Sequence, residues 1–230
     1  MKKLLQLQNL MVGQLIRREK KFIAYVKRGN KRYKCFFPNP SRLQGILHPG
    51  QNVLYIERKT PKSDGRVVAI KYGEGWMIID TDVIHKEVAY EILRRKLVSY
   101  FPDYKKILRE KKIEDFRIDY VILNHERYAI EVKGCFRIIG NKAYFPDAIS
   151  ERSTNQIYKL IRLMRRYEIK PYLWFIAPMP VEEIRISIDI DPTFYKAVIF
   201  GVKKGIKIFG TTIKFDGANI YFDKEIDVCL

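Results

Sequence analysis

Two short apolar runs, residues 116–123 and 128–133, flank a polar turn at residues 124–127. The only acids in these runs are Asp119 in the first and Glu131 in the second, and Lys133 follows Glu131 by two residues. Because side chains alternate between the faces of a β-strand, Glu131 and Lys133 must point to the same face. A hairpin folded about His125 sets Asp119 opposite Glu131, and a slip of one residue leaves it a neighbour of the pair. The sequence therefore predicts that two carboxylates and one ammonium group meet.

The two runs are apolar on both of their faces, which is typical of strands that are covered on two sides. A charge buried in such a place costs roughly several kcal/mol unless it is paired or bound to a metal. Two hard oxygen ligands beside a cation are what a Mg²⁺-assisted phosphodiester hydrolase needs: the carboxylates hold the metal, and the lysine orients or deprotonates the attacking water. The alternative is an ordinary ion pair between neighbouring strands.

The charge of the chain points to a polyanionic partner. Its 230 residues carry 44 Lys and Arg against 26 Asp and Glu, a formal charge of +18. The basic residues are spread along the chain rather than gathered in one tail, which indicates a folded basic surface. An anionic membrane surface is the alternative, but no basic amphipathic helix with an aromatic face stands out. No apolar run is long enough to span a membrane, and the N-terminus turns polar at Gln6, so we expect a cytoplasmic protein.

The first third of the chain has the pattern of a small β-barrel. Runs rich in β-branched and aromatic residues cover 6–17, 21–28, 31–37, 52–59, 66–72 and 76–80. Turn sequences such as Gly29-Asn30, Pro49-Gly50 and Gly73-Glu74-Gly75 separate them. Short strands at this spacing predict a barrel, and an oligonucleotide-binding (OB) barrel would fit the basic charge.

After residue 80 the apolar residues recur with the period of a helix. An apolar stripe runs from Val83 to Leu97, and Asp80, Thr81 or Asp82 can cap this helix.

A second helix is expected to run to about Tyr167, with a capping-box spacing at Ser153 and Gln156. Further along we expect an apolar strand at 171–177, a helix capped by Asp191 and a strand at 206–209. Asp216-Gly217 should turn a final hairpin. Alternation of strands and helices predicts an α/β domain over residues 81–230, after an all-β domain over residues 1–80.

The segment Phe145-Pro146-Asp147-Ala148-Ile149-Ser150-Glu151-Arg152 resembles the signature of the sugar fermentation stimulation protein A family. The resemblance also covers residues 117–120, residues 131–133 and the basic opening around Arg17 and Arg18, and it spans nearly the whole chain. It implies an N-terminal OB-fold barrel followed by a restriction-endonuclease-like α/β domain of the PD-(D/E)xK superfamily, with DNA-binding character.

Within that pattern, Asp119 matches the first acid, and Glu131 and Lys133 match the acid-x-Lys pair. Glu91 matches a helix acid that assists the metal, with Glu87 one turn earlier as its competitor. The implied ligands of Mg²⁺ or Mn²⁺ are Asp119, Glu131 and the Val132 carbonyl. The residues implied to contact nucleic acid are Arg17, Arg18, Asn39, Arg152 and Gln156. For Arg152 the alternative is a solvent-facing ion pair with Glu151.

These observations predict a DNA-binding protein with Mg²⁺-dependent phosphodiester hydrolysis. The main alternative is a DNA-binding regulatory protein of sugar metabolism that has kept a nuclease-like scaffold without the activity. RNA is a further possible substrate, since no residue distinguishes the two nucleic acids. The three cysteines and three histidines have no metal-type spacing, so we assign them no metal.

Overall fold

A computed structural model describes residues 1–101 and 103–230. The strands of its N-terminal part are β1 (Lys2–Gln6), β2 (Leu10–Glu19), β3 (Ile23–Arg28), β4 (Lys31–Phe36), β5 (Asn52–Glu57), β6 (Gly65–Tyr72) and β7 (Gly75–Ile78). The helices are α1 (Ile84–Arg94), α2 (Glu151–Tyr167) and α3 (Pro192–Lys203). The remaining strands are β8 (Lys106–Ile113), β9 (Phe116–Leu123), β10 (Arg127–Gly134), β11 (Arg137–Ile139), β12 (Lys142–Phe145), β13 (Ile169–Ala177), β14 (Glu183–Ile186), β15 (Lys207–Phe215) and β16 (Asn219–Cys229).

Six of the N-terminal strands form the predicted barrel. Their order is β4-β3-β2-β5-β6-β7, and a parallel pairing of β4 with β6 closes the sheet on itself. Inward side chains such as Val26, Val53 and Val67 are fully buried, because alternate residues of each strand face the interior. Closure removes the open edges that an isolated sheet would expose.

The expected first strand at 6–17 corresponds to β2, which begins later, at Leu10, and a further strand, β1, precedes it. Asn9 adopts a left-handed backbone conformation, with φ of 57°, and ends the extended run. The segment before it, β1, pairs antiparallel with β16 and belongs to the other sheet. The sequence pattern predicted β2 but not β1, apart from its last residue Gln6, and it gave no sign that this segment pairs in the other sheet.

The second sheet has ten strands, with the order β11-β12-β14-β16-β15-β13-β10-β9-β8 and β1 added on β16. Its central strand β13 pairs parallel with β10 on one side and with β15 on the other. Most side chains of β13 are buried, including Trp174 and Phe175, as expected for a parallel strand with both faces covered. The predicted alternation of strands and helices is therefore confirmed, although β8, β11 and β14 were not predicted.

Two helix ends differ from the sequence-based expectation. The N-cap of α2 is Ser150, whose hydroxyl accepts a hydrogen bond from the Ser153 N–H at 3.2 Å, so the expected capping box at Ser153 and Gln156 is wrong. Helix α1 ends at Arg94 rather than near Leu97, and Lys96 already has a positive φ of 52°. At its start, Asp80 accepts from the Val83 N–H at 2.9 Å, which agrees with the predicted cap. Asp191 caps α3 as predicted.

By its contacts the chain divides into two compact units. One comprises residues 1–92, 178–180 and 213–223, and the other comprises residues 93–177, 181–212 and 224–230. The first unit thus includes most of α1 as well as the barrel, and the proposed boundary after residue 80 stays a sequence-based prediction. No helix among the described residues is long and apolar enough to cross a membrane.

Candidate active site

The hairpin of β9 and β10 sets the position of the first acid. Its antiparallel register runs from Leu123 opposite Arg127 to Tyr120 opposite Ile130, so one further step would place Asp119 opposite Glu131. The backbone pairing stops there. The Asp119 carboxylate accepts a hydrogen bond from the Val132 N–H at 2.8 Å, so the side chain, not the backbone, of Asp119 bonds to the facing strand. Asp119 is half-buried and fixed close to Glu131 by this bond.

Glu131 and Lys133 lie on the same face of β10, as the strand period requires. Lys133 Nζ donates to Glu131 Oε1 at 2.9 Å, and both side chains are buried, with 7% and 3% of their surface exposed for Lys133 and Glu131. Gln156 of α2 links the two: its Oε1 accepts from Lys133 Nζ at 2.6 Å, and its Nε2 donates to Glu131 Oε1. The amide thereby fixes the relative position of the carboxylate and the ammonium group.

Burial dominates the electrostatics of Glu131. Removal of its carboxylate from water raises its pKa from 4.5 to about 7, against the lowering effect of the Lys133 charge. The negative charge of Asp119 raises this pKa further, and the positive charge of Arg152 lowers it. Glu131 therefore exchanges its proton near neutral pH, which is common for carboxyl groups at functional sites.

One oxygen of this carboxylate has no partner. Glu131 Oε1 receives the donors from Lys133 and Gln156, whereas Oε2 is buried and makes no hydrogen bond. A buried polar atom without a partner is rare and calls for an explanation such as an ion. Together with Asp119, this oxygen fits a hard divalent cation.

The donor set of side chains is small. Among residues 1–101 and 103–230, no group of three or more His, Cys, Asp and Glu side chains could hold a metal ion. A divalent cation at this point would therefore rely on two carboxylates, on backbone oxygen and on water. Mg²⁺ keeps several waters in protein sites and is often bound by one or two carboxylates, so the donor set suits it. The Val132 carbonyl stays a prediction as the third ligand.

A groove of about 690 Å³ adjoins these residues. Gln156 lines it, and so connects the groove with the Glu131 and Lys133 pair. The other lining residues come from the start of β9 and from one face of α2: Asp115, Phe116, Arg117, Arg152, Asn155, Tyr158, Lys159 and Arg162. Four of them are basic, so the groove is suited to an anionic ligand.

The basic residues of the groove differ in how well their charges are paired. Lys159 is 2.8 Å from Asp115, and Arg162 bonds to Asp115 as well. Arg117 is 3.5 Å from Glu110. Arg152 is exposed, and no carboxylate of the described residues lies within 4 Å of its guanidinium group, including that of Glu151. Of the four, Arg152 is therefore the most available for a phosphate group.

Sequence reasoning missed Arg117, Lys159 and Arg162 as groove residues. A signal for two of them was present, because residues 152, 155, 159 and 162 follow the three- and four-residue spacing of one helix face. This polar stripe lies beside the buried apolar side chains of the helix, among them Ile157, Leu160 and Ile161. The predicted helix acid Glu91 and its competitor Glu87 both lie half-buried on α1, and their role at the metal stays a prediction.

The barrel residues expected to contact nucleic acid have different environments. Arg17 is exposed, 3.2 Å from Glu19, with its guanidinium 4.3 Å from the centre of the Tyr25 ring. Arg18 donates to the carbonyls of Asn39 and Lys21 at 2.7 Å and of Ser41 at 2.8 Å. It therefore holds a loop of the barrel, and of these two arginines Arg17 has the more accessible charge.

Asn39 is completely buried and has a structural role. Its Nδ2 donates to the Ile79 carbonyl at 2.9 Å, and its Oδ1 accepts from the Ser41 N–H at 2.8 Å. A fully buried side chain cannot contact a nucleic acid in this conformation. The contact of Asn39 with nucleic acid stays a prediction from the resemblance, and the bonds seen here are those of loop packing.

Asn39→Ala should lower the free energy of unfolding by about 1–3 kcal/mol, because it removes the side-chain partner of the buried Ile79 carbonyl and of the Ser41 N–H. The affinity for DNA should not change under conditions where the variant is folded. Denaturant unfolding and a DNA-binding titration check the two parts. A variant with unchanged stability and weakened DNA binding would contradict the structural role.

Two family models match this chain. Residues 83–219 match the family model described as "Sugar fermentation stimulation protein RE domain", and residues 16–79 match the "SfsA N-terminal OB domain". A sugar fermentation stimulation protein homologue of Clostridium tetani is 30% identical over 97% of this chain and 98% of its own length. A homologue of Methanococcoides burtonii is 26% identical over 85% of this chain and 80% of its own.

One solved structure shares the fold over the whole chain. The structure of SfsA from Pyrococcus furiosus in complex with Ca²⁺ superposes with a TM-score of 0.89, at 23% identity, and covers 98% of both chains. The predicted architecture, an OB barrel followed by a restriction-endonuclease-like domain, is thereby confirmed together with the family descriptions.

Proposed function

The chain belongs to the sugar fermentation stimulation protein family, and from this premise we propose that it binds DNA and hydrolyses phosphodiester bonds with Mg²⁺ or Mn²⁺. The observation that carries the proposal is the buried Glu131 and Lys133 pair, whose second carboxylate oxygen has no partner and whose bridging residue Gln156 lines a basic groove. A buried carboxylate oxygen without a partner is uncommon in a purely structural ion pair, so it supports a bound cation.

Each side chain has a role that follows from its position. Asp119 and Glu131 hold the divalent cation, which when bound supplies polarisation of a phosphate oxygen. Lys133 orients the attacking water and offsets the negative charge that develops on the phosphate. Gln156 is a positioning residue, because its hydrogen bonds fix Lys133 against Glu131. Arg152 holds the phosphate in the groove.

The charge of the chain supports a nucleic acid as the partner. A surplus of 18 positive charges is more than solubility requires, and four basic residues line the groove beside the acids. Because phosphate contacts release condensed counterions, the affinity for DNA should fall steeply as the salt concentration rises. DNA is the substrate we propose first, with RNA as the alternative.

A DNA-binding protein without catalysis is the second candidate. The groove supports it, because four basic side chains can bind phosphate groups without any metal. The family name would then connect the protein with the regulation of sugar metabolism. The two candidates share the binding surface and differ in turnover.

The deciding experiment incubates the protein with labelled single- and double-stranded DNA and RNA, each with Mn²⁺, with Mg²⁺ and with EDTA. We expect cleavage that requires the metal, together with binding in EDTA that weakens as salt is added. Binding without cleavage of any of these nucleic acids would leave the second candidate. A dissociation constant that is independent of salt would mean that the charge serves another partner.

A further inference from the structure

The barrel carries a cleft of its own, separate from the groove of the α/β unit. Its volume is about 440 Å³, within the range of small-ligand pockets. The lining comes from the turn between β2 and β3, from β4, and from the loop at residues 58–64 that joins β5 to β6. None of these residues takes part in the proposed catalytic site.

The floor of the cleft is aromatic and uncharged. The rings of Phe22 and Phe36 have centroids 6.2 Å apart and are tilted by 32°, and Phe22 keeps 42% of its surface exposed. Cys35 beside them is buried, and burial raises the pKa of its thiol to about 12, so it stays neutral. Gly65 lets β6 pack closely against β4 and β5 below the cleft, since a Cβ there would lie 3.2 Å from Cys35 Sγ and 2.8 Å from the Ile56 carbonyl oxygen.

The rim of the cleft is basic. Lys34, Arg58 and Lys62 are exposed, and none of them has a carboxylate of the described residues within 4 Å. Arg66 is different, because Asp80 and Asp82 pair with it at 2.5 Å and 3.1 Å. The nearest acid of the loop, Asp64, uses one carboxylate oxygen to accept the Lys34 N–H at 2.9 Å. Three cations with unpaired charge therefore surround an apolar floor.

The loop that carries two of these cations is internally bonded. Thr60 N–H donates to the Ser63 carbonyl at 2.7 Å, and the Ser63 N–H donates to the Thr60 hydroxyl at 3.0 Å. The Asp64 N–H donates to the Lys34 carbonyl at 2.7 Å and so fastens the loop to β4. A preformed loop loses little conformational entropy when it binds a ligand.

We propose that this cleft binds an unpaired nucleobase of a single-stranded nucleic acid, which stacks on Phe22 while its flanking phosphates contact Lys34, Arg58 and Lys62. A flat aromatic group between two anionic groups is the ligand that matches both the floor and the rim. Stacking on aromatic side chains within a basic groove is how proteins bind single strands with little preference for sequence. The inference rests on the proposed nucleic-acid function. It adds that the nucleic acid bound at this cleft is single-stranded and that the barrel provides a second binding site.

The test separates the bases from the phosphates. A labelled oligothymidine and an abasic oligonucleotide of the same length carry equal charge, and their dissociation constants are measured by fluorescence anisotropy in EDTA. We expect the wild type to bind the oligothymidine about tenfold more tightly than the abasic strand. Phe22→Ala should lose this preference and keep the affinity for the abasic strand. Lys34→Glu combined with Lys62→Glu should weaken the binding of both strands.

Phe200→Ala is the matched control, because Phe200 of α3 is as exposed as Phe22, at 43%, and lies in the other unit. It should retain the preference of the wild type. The inference is overturned if the wild type binds both strands equally or if Phe22→Ala retains the preference. Because the assay contains no divalent metal, these results are independent of cleavage, so a protein that prefers the oligothymidine but cleaves nothing would support the cleft and refute the nuclease proposal.

Discussion

Replacing Lys133 by alanine should reduce metal-dependent cleavage by about a hundredfold to a thousandfold while the affinity for DNA stays nearly unchanged. The reason is that Lys133 is buried between Glu131 and Gln156, where it acts on the reacting groups rather than on the phosphates along the groove. Its contribution is then made in the transition state, so kcat falls and the binding of substrate does not. Cleavage rates and anisotropy titrations with the same labelled DNA measure the two effects.

Folding of this variant must be checked, because Lys133→Ala removes the cation beside a buried carboxylate. The pKa of Glu131 is already about 7 through burial, so without the cation the carboxyl group should take up a proton instead of remaining as an unpaired charge. The variant should therefore fold, with a moderate loss of stability that thermal unfolding will show. Lys203→Ala, an exposed lysine of α3, is the control and should cleave as the wild type does.

Lys133→Arg separates the two ways in which the lysine can act. Arginine keeps the charge, but its planar guanidinium cannot release a proton and does not fit the bonds at 2.9 Å and 2.6 Å that the ammonium group makes. We expect no rescue. Partial rescue would mean that the role is purely electrostatic, and an alanine variant that cleaves as well as the wild type would refute the nuclease proposal.

The hairpin that carries the site could be predicted from the sequence because it depends only on residues that are close together in the chain. Strand period fixed Glu131 and Lys133 to one face, and the short turn fixed the register that brings Asp119 near them. The sequence did not predict that the backbone pairing of the two strands stops after Tyr120 and Ile130. Beyond this point the Asp119 side chain accepts a hydrogen bond from the Val132 N–H. No pattern in the sequence reports where a ladder of hydrogen bonds ends.

Contacts between distant segments were harder to predict. The bridge from Gln156 to the Glu131 and Lys133 pair joins α2 to β10, and the sequence suggested it only through the family resemblance. Strand β8 was missed because its lysines and arginine mask the apolar alternation, as is usual for the edge strand of a sheet. The burial of Asn39 was not predicted either, since a polar residue in a loop gives no sign in the sequence that it is fully buried.

Loss of the first acid should greatly weaken the binding of divalent metal. Asp119→Asn keeps an oxygen that can accept the Val132 N–H, so it tests the charge with little disturbance of the hairpin. We expect the affinity for Mn²⁺, measured by calorimetry, to fall at least about a hundredfold, since partners outside the coordination sphere already contribute about ten- to a hundredfold. Asp119→Ala should behave in the same way. Equal heats from the wild type and both variants would show that the metal binds elsewhere.

The pH dependence of metal binding then tests the second acid. The pKa of Glu131 is raised to about 7, so below that pH the folded protein holds a proton that a divalent cation must displace. The affinity for Mn²⁺ should therefore be greatest above pH 7 and fall by about tenfold for each pH unit below it, with one proton released on binding. Glu131→Gln has no such proton to lose, so it should bind Mn²⁺ weakly at every pH. In the wild type the positive charge of Arg152 lowers the pKa of Glu131. Arg152→Gln should therefore keep the slope of affinity against pH and move the midpoint of that dependence to higher pH. A wild-type affinity that stays constant from about pH 5 to about pH 8 would mean that the buried carboxylate is not a ligand, because no cation could bind it without competing with its proton.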